Sequence, residues 1–308
     1  MGVRSLSSLL RAALLLGLGQ AALASPITLK HELGKATFTA APGRVIANSE
    51  EVAELLTVLG VPTVGYASGR VEGQLGQPMR NLSTLAAPTL KRAVYIGRYD
   101  QPSLELVAAL KPDLILMHGG DGSEKLYPTM RKFAPTVVYD YDKTPWRKAL
   151  GDLGRLFGKS AQANAYLNTF DARVRALRAQ MAPVAARAPR TTLLYMYEPG
   201  SVMVLGRGFS FSRTLAQLGL TLTTPKGIDP NVAFQTLSPE TLLTLDTDRV
   251  VVLRVKKGGQ LVERNATDDV LRRLGKPVFT YPLDPQEASS GPLTDLKRLE
   301  GVAKLVRR

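Results

Sequence analysis

From Gln101 to Gly120 the chain reads QPSLELVAALKPDLILMHGG, a helix, a turn and a strand in one run, and the architecture of the rest follows from it. Pro102 suits the first turn of a helix, where a missing backbone donor costs nothing. Leu104, Val107, Ala108 and Leu110 recur three and four residues apart, so the helix has one apolar face and lies on something. Lys111-Pro112-Asp113 ends it. Leu114 to Met117 is an unbroken apolar run too short for a helix, which predicts a strand buried on both faces, as parallel strands are. His118-Gly119-Gly120 then leaves the strand at its carboxyl end.

The pattern occurs twice. Shifted by 135 positions, SLELVAALKPDLIL meets SPETLLTLDTDRVVV, with Ser103 on Ser238, Glu105 on Glu240, Val107 on Leu242, Leu110 on Leu245, Asp113 on Asp248 and Leu116 on Val251. A second echo, at another offset, lays VIANSEEVAELLTVLGV (Val45 to Val61) over VLGRGFSFSRTLAQLGL (Val204 to Leu220), with Leu56 on Leu215 and Gly60 on Gly219. Two echoes in the same order predict two similar α/β lobes.

Composition sets the bounds. A chain of 308 residues has room for two domains, and 44% hydrophobic with 21% charged residues is ordinary for a globular protein. Residues 1–24 read as a secretory signal peptide: Arg4 and Arg11 accompany the apolar run Ala12 to Leu18, and Ala22-Leu23-Ala24 supplies small residues for cleavage. The run is too short for a membrane span. The chain has no cysteine, which suits an exported protein without disulfides or a lipid on an N-terminal cysteine. Removing the two arginines of the signal leaves 38 of 40 basic side chains against 26 acidic ones, a net charge of +12 and a field that concentrates anions. The basic residues are scattered, aromatics make up 6% of the chain, and no nucleic-acid motif occurs, so nucleic acid is not the expected partner.

Along the mature chain, Ile27 to Phe38 reads as a hairpin about Leu33-Gly34-Lys35. Val45 to Ala47 is a strand, Asn48 or Ser49 caps a helix with Glu50 and Glu51 in its first turn, and Thr63 to Tyr66 is the next strand. Residues 67–95 form a long Gly- and Pro-rich connection carrying Arg70, Arg80, Lys91 and Arg92. Glu124 to Phe133 reads as a helix, Thr136 to Tyr139 as a strand and Pro145 to Phe157 as a helix. Ser160 to Met181 is a longer helix, with Leu167, Phe170, Val174, Leu177 and Met181 on one face. The expected fold is therefore α/β: two Rossmann-like lobes with mostly parallel sheets, residues 25–158 and 183–308, joined by one helix over 159–182. A single uninterrupted helix between the lobes predicts small hinge motions. The second lobe reads as strands at Thr192 to Tyr197, Met203 to Leu205, Arg249 to Val255 and Val278 to Tyr281, with helices near Phe211 to Leu218, Pro239 to Leu245, Ala266 to Leu274 and Thr294 to Val306. In such sheets ligands sit beyond the carboxyl ends of the strands, which places them in a cleft between the lobes.

Catalytic patterns fail on inspection. There are two histidines and no thiol. Gly208 to Ser212, GFSFS, ends in serine where a hydrolase elbow needs glycine. Gly206 to Phe211 lacks the third glycine of a dinucleotide fingerprint, and Gly119 to Lys125 lacks P-loop spacing. The expectation is a binding protein and not an enzyme.

From Arg44 onward the order RVIANSEEVAELLTVLGVPTVGY, IGRYDQPSLELVAALKPDLIL, the long helix, then LSPETLLTLDTDRVVVL resembles the helical-backbone periplasmic binding proteins of ABC importers for ferric siderophores, haem and cobalamin. The resemblance implies a ligand in a shallow interlobe cleft, carried as a ferric chelate by a monomer with no cofactor of its own, and delivery to a permease in the inner membrane. It also implies an acidic residue on each lobe that pairs with permease arginines. The matching first-lobe position is Glu54, with Glu50 and Glu51 as alternatives; the second lobe departs from the pattern, because Arg213 lies opposite Glu54, and leaves only Glu198. Strand ends give the ligand candidates: Tyr66, Arg70, Arg98, Tyr99, His118, Tyr141 and Trp146 in the first lobe, and Arg207, Arg254, Lys256 and Tyr281 in the second. Arginine forks suit carboxylate or catecholate oxygens and aromatic faces suit apolar parts. A siderophore needs no metal ligand from the protein; haem would take Tyr99 or His118 as axial ligand, and a basic cleft suits the nearly neutral cobalamin less.

Overall fold

A computed structural model describes residues 22–70, 73–79, 85–120, 122–141, 143–198, 201–257, 260–261, 266–284 and 290–307. The signal-peptide span lies almost wholly outside these residues, as does Arg80. In the first lobe β1 (Ala22–His31) and β2 (Gly34–Ala40) form an antiparallel hairpin, followed by β3 (Val45–Ala47), α1 (Glu50–Leu59), β4 (Thr63–Ala67), α2 (Ala87–Leu90), β5 (Val94–Arg98), β6 (Gln101–Pro102), α3 (Leu104–Ala109), β7 (Leu114–His118), a 3₁₀ turn at Ser123–Leu126, α4 (Tyr127–Met130), β8 (Thr136–Tyr139) and α5 (Trp146–Leu156). The sheet order is β6-β5-β4-β3-β7-β8, parallel except for the short β6. Its faces are both covered: Leu114 and Leu116 pack with Leu55 and Leu153 on one side, Ile115 and Met117 with Val107 and Met130 on the other. The LILM run is buried on both faces for that reason.

The second lobe comprises β9 (Arg190–Met196), β10 (Met203–Leu205), α7 (Ser212–Gln217), β11 (Thr221–Leu222), β12 (Phe234–Thr236), a 3₁₀ helix at Pro239–Thr244, β13 (Arg249–Lys257), β14 (Gln260–Leu261), α8 (Ala266–Arg273), β15 (Val278–Leu283) and α9 (Pro292–Val306). β9, β13 and β15 are parallel; β10 and β12 run antiparallel at one side. The chain is thus α/β and two-lobed.

The internal repeat is carried by equivalent bonds. Asp113 accepts from the amides of Gly43 and Arg44 at 2.8 Å, fixing the entry to β3, and Asp248 accepts from the amide of Arg190 at 2.8 Å, fixing the start of β9. Gly60 and Gly219 end α1 and α7 with φ of 62° and 82°, a left-handed conformation that favours glycine. The residue after each then bonds back to the equivalent leucine, Val61 N to Leu56 O at 2.8 Å and Leu220 N to Leu215 O at 2.9 Å. The strand direction is not repeated, since β3 is parallel to its neighbours and β10 antiparallel to β9.

Between the lobes lies α6 (Ser160–Arg187). It runs beyond the expected end at Met181 and through Pro183. The ring removes a donor to the Ala179 carbonyl, and Ala179 is exposed, so the lost bond falls on the solvent side of the helix. The lobes share more than this helix. One apolar core runs from Leu55 and Trp146 through Phe170 and Leu177 to Phe211 and Leu299. At its centre Glu54 of α1, 1% exposed, accepts from the amides of Leu293 and Thr294 at 2.9 and 3.0 Å and from the Thr294 hydroxyl. An acid of the first lobe therefore caps the last helix of the second, whose own N-cap, Gly291, has no side chain.

Candidate ligand-binding site

The carboxyl ends of β3, β4, β5 and β7 meet at the N-terminus of α1. There Ser49, Glu50, Glu51, Gly69, Arg70 and Tyr99 line a cavity of about 130 Å³. Arg70 holds Glu51 at 2.9 Å and lies 3.9 Å from Glu50. Glu50 also accepts from the Ser68 hydroxyl, and Ser68 in turn accepts from the Arg70 amide at 3.1 Å. Below the cluster Asn48 ties β3 to β5 by donating to the Tyr99 carbonyl at 2.8 Å. To one side, the rings of His118 and Tyr141 meet edge to face with centroids 5.0 Å apart, and the Tyr141 hydroxyl donates to the Glu51 carbonyl at 2.9 Å.

Burial, with the Glu51 charge beside it, pushes the Glu50 carboxyl above its ordinary value. Burial also works against the Glu51 charge, but the Arg70 guanidinium and His118 more than offset it and hold that pKa down. Arg70 is raised in its turn: burial opposes its charge, and Glu51 and Glu50 outweigh burial.

Facing these groups from the second lobe, Tyr195 and Tyr197 stack at the end of β9 with centroids 5.8 Å apart and planes 20° from parallel, and Phe209 lies 6.5 Å from Tyr195. Burial raises the Tyr195 pKa, and Arg70 across the cleft is near enough to oppose the rise. Arg70 on the first lobe and Tyr195 on the second are thus close enough to interact electrostatically.

The sequence-derived candidates divide between this site and other places. Arg70, Tyr99 and His118 gather at it. Tyr66 lies at the same strand end but is wholly buried beneath Glu50, which makes it a support. Arg98 is turned to solvent and paired with Asp100 at 3.0 Å, so it does not line the cavity. Trp146 sits in the interlobe junction, where its indole donates to Asp295 at 2.9 Å. Arg254 is buried against Asp268. Arg207 lines a separate hollow of about 390 Å³ with Arg213 and Leu222. Lys256 and Tyr281 line another, of about 440 Å³, with Lys297 and Lys304 between β15 and α9. Glu54, expected to meet a permease, is out of reach of any partner because it caps α9. Tyr195, Tyr197 and Phe209 were not singled out by sequence; the alternation of buried Leu194 and Met196 with half-buried Tyr195 and Tyr197 is the signal that marks them.

The family profile described as "Periplasmic binding protein" matches residues 45–273, well over half of the chain. The chain belongs to the periplasmic binding protein family. Among curated members it is 28% identical over 210 residues to the ferric enterobactin-binding periplasmic protein FepB of Escherichia coli O6:H1, a match covering 66% of this chain and 64% of that one. It is 29% identical over 195 residues to the ferric-anguibactin-binding protein FatB of Vibrio anguillarum, covering 60% and 55%. The match therefore spans somewhat less than two thirds of either relative's length. Solved structures of the same fold include Staphylococcus aureus SirA complexed with staphyloferrin B, with a TM-score of 0.69, 21% identity and coverage of 90% and 97%. The petrobactin-binding protein YclQ of Bacillus subtilis gives a TM-score of 0.73 at 17% identity, with coverage of 92% and 99%.

Proposed function

We propose that this protein is the substrate-binding component of an ABC importer, exported to the periplasm as a monomer, which captures an iron(III) chelate in the interlobe cleft and hands it unchanged to an inner-membrane permease. The observation that carries this reading is the first-lobe cavity lined by Arg70, Glu51 and Tyr99, with the stacked Tyr195 and Tyr197 of the second lobe near enough for Tyr195 to feel the Arg70 charge, in a chain of a binding-protein family. Curated relatives that bind ferric enterobactin and ferric anguibactin support iron as the cargo. With Glu54 buried, the acids offered to permease arginines are Glu105 and Glu240, exposed and placed by the repeat in matching first turns, with the exposed Glu198 as a further second-lobe candidate.

Calorimetric titration of the purified protein with ferric hydroxamate, catecholate and citrate complexes, haem and cobalamin tests the reading. Stoichiometric binding of a ferric chelate recovered intact is expected. Binding of haem alone, or turnover of the bound compound, would overturn it.

A further inference from the structure

The cleft is less cationic than the whole chain. Its cavity brings two carboxylates, Glu50 and Glu51, against one guanidinium, Arg70. The N-terminus of α1 adds partial positive charge, but those two acids are its own first turn and already meet it. The other cleft-end arginines are engaged elsewhere, Arg98 with Asp100 and Arg254 with Asp268. An oxyanion approaching Arg70 meets the two carboxylates that already share its Nη1, at 2.9 and 3.9 Å, and their charge opposes its entry.

Two buried oxygens point the same way. Ser49, which lines the cavity, is the N-cap of α1 yet makes no capping bond, and its hydroxyl finds no hydrogen-bond partner among the described residues while being 3% exposed. The neighbouring Asn48 has its amide nitrogen committed to the Tyr99 carbonyl, which fixes the orientation of the group, and its Oδ1 is buried with no donor among the described residues. A buried acceptor without a donor costs stability that an incoming N–H recovers. Tyr99 lines the same cavity with an aromatic ring, over which the Arg98 guanidinium already lies 5.8 Å from the centroid.

We propose that the cavity of Ser49, Glu50, Glu51, Gly69, Arg70 and Tyr99 receives a primary ammonium arm of the cargo, so that the chelate this protein carries is neutral or positively charged. The inference rests on the ferric-chelate reading above and names the class of chelate. The volume of about 130 Å³ admits the end of a short alkylammonium chain, while Tyr195 and Tyr197 cover the body of the chelate from the other lobe.

The test uses four ferric complexes in calorimetric titrations at one ionic strength: a linear tris-hydroxamate with a terminal primary ammonium, the same complex N-acetylated, a tris-catecholate trianion and a citrate complex. The ammonium complex should bind about tenfold tighter than its acetylated twin, the worth of one well-placed ionic contact. Glu51→Gln should bring that ratio to within about twofold, and Ser49→Ala, which leaves the Arg70 pair untouched and guards against misfolding of the first variant, should lower affinity for the ammonium complex about threefold. Equal binding of the twins, or tightest binding of the trianion with a further gain in Glu51→Gln, would overturn the inference and leave the ferric-chelate reading standing. If none of the four binds, the ferric-chelate reading falls, and the inference with it.

Discussion

The two lobes open on the cleft with opposite chemistry. Where the first places Glu50, the repeat gives the second Phe209, and the charged cluster of Arg70, Glu50 and Glu51 faces the stacked rings of Tyr195 and Tyr197. The framework bonds are nevertheless duplicated, Asp113 for Asp248 and Gly60 for Gly219. A repeat can therefore hold its backbone constant while its side chains at the mouth diverge, one wall fixing orientation and the other supplying apolar contact. The same divergence appears at Glu54 and Arg213, equivalent in the repeat, which both reach the start of α9: Glu54 through Leu293 and Thr294, Arg213 through the Ser290 hydroxyl at 3.5 Å.

The largest effect expected from that asymmetry is at Glu54. Burial pushes its carboxyl up to about 7 from the ordinary 4.5, against the bonds from Thr294 and Leu293 and with the Asp295 charge adding to the rise. The folded junction thus holds a proton that the unfolded chain releases. Stability from this group is full below about pH 4.5 and falls as pH rises toward about 7, by on the order of 3 kcal/mol. Denaturant unfolding at about pH 5 and about pH 8 should reveal that slope, and Glu54→Gln should flatten it; an unchanged slope would detach Glu54 from the junction.

Next in size is the duplicated framework. Asp113→Asn and Asp248→Asn should each cost about 1–3 kcal/mol, because each leaves strand-start amides without a charged acceptor. A large cost at one site and none at the other would break the equivalence of the lobes. Tyr195→Ala should weaken capture of a ferric chelate by about five- to tenfold in titration, as expected for one aromatic contact. Smallest, Arg207→Ala and Lys256→Ala should alter affinity by no more than about twofold, since neither lines the cleft.

Sequence carried the architecture because its signals were local. LILM between a broken helix and a double glycine specifies a buried parallel strand, and its second copy specifies the second lobe. The site was legible only in the first lobe, where strand ends and the acid-rich first turn of α1 stand together in the chain. Arg254 looked available because its partner, Asp268, is fourteen residues away on another element. Glu54 looked like a surface acid because the helix facing it comes from the far end of the chain, 239 residues on at Leu293. Long-range pairing of charges leaves no periodic trace. Trp146 was ambiguous for the same reason, its partner Asp295 lying on α9.

Hydrogen–deuterium exchange with and without a bound ferric chelate tests most directly whether one opening between unlike walls holds the cargo. Protection is predicted in the segments around Asn48 to Glu51, Ser68 to Arg70 and Tyr195 to Tyr197 together. Protection confined to the hollow between β15 and α9, or to one lobe alone, would contradict it.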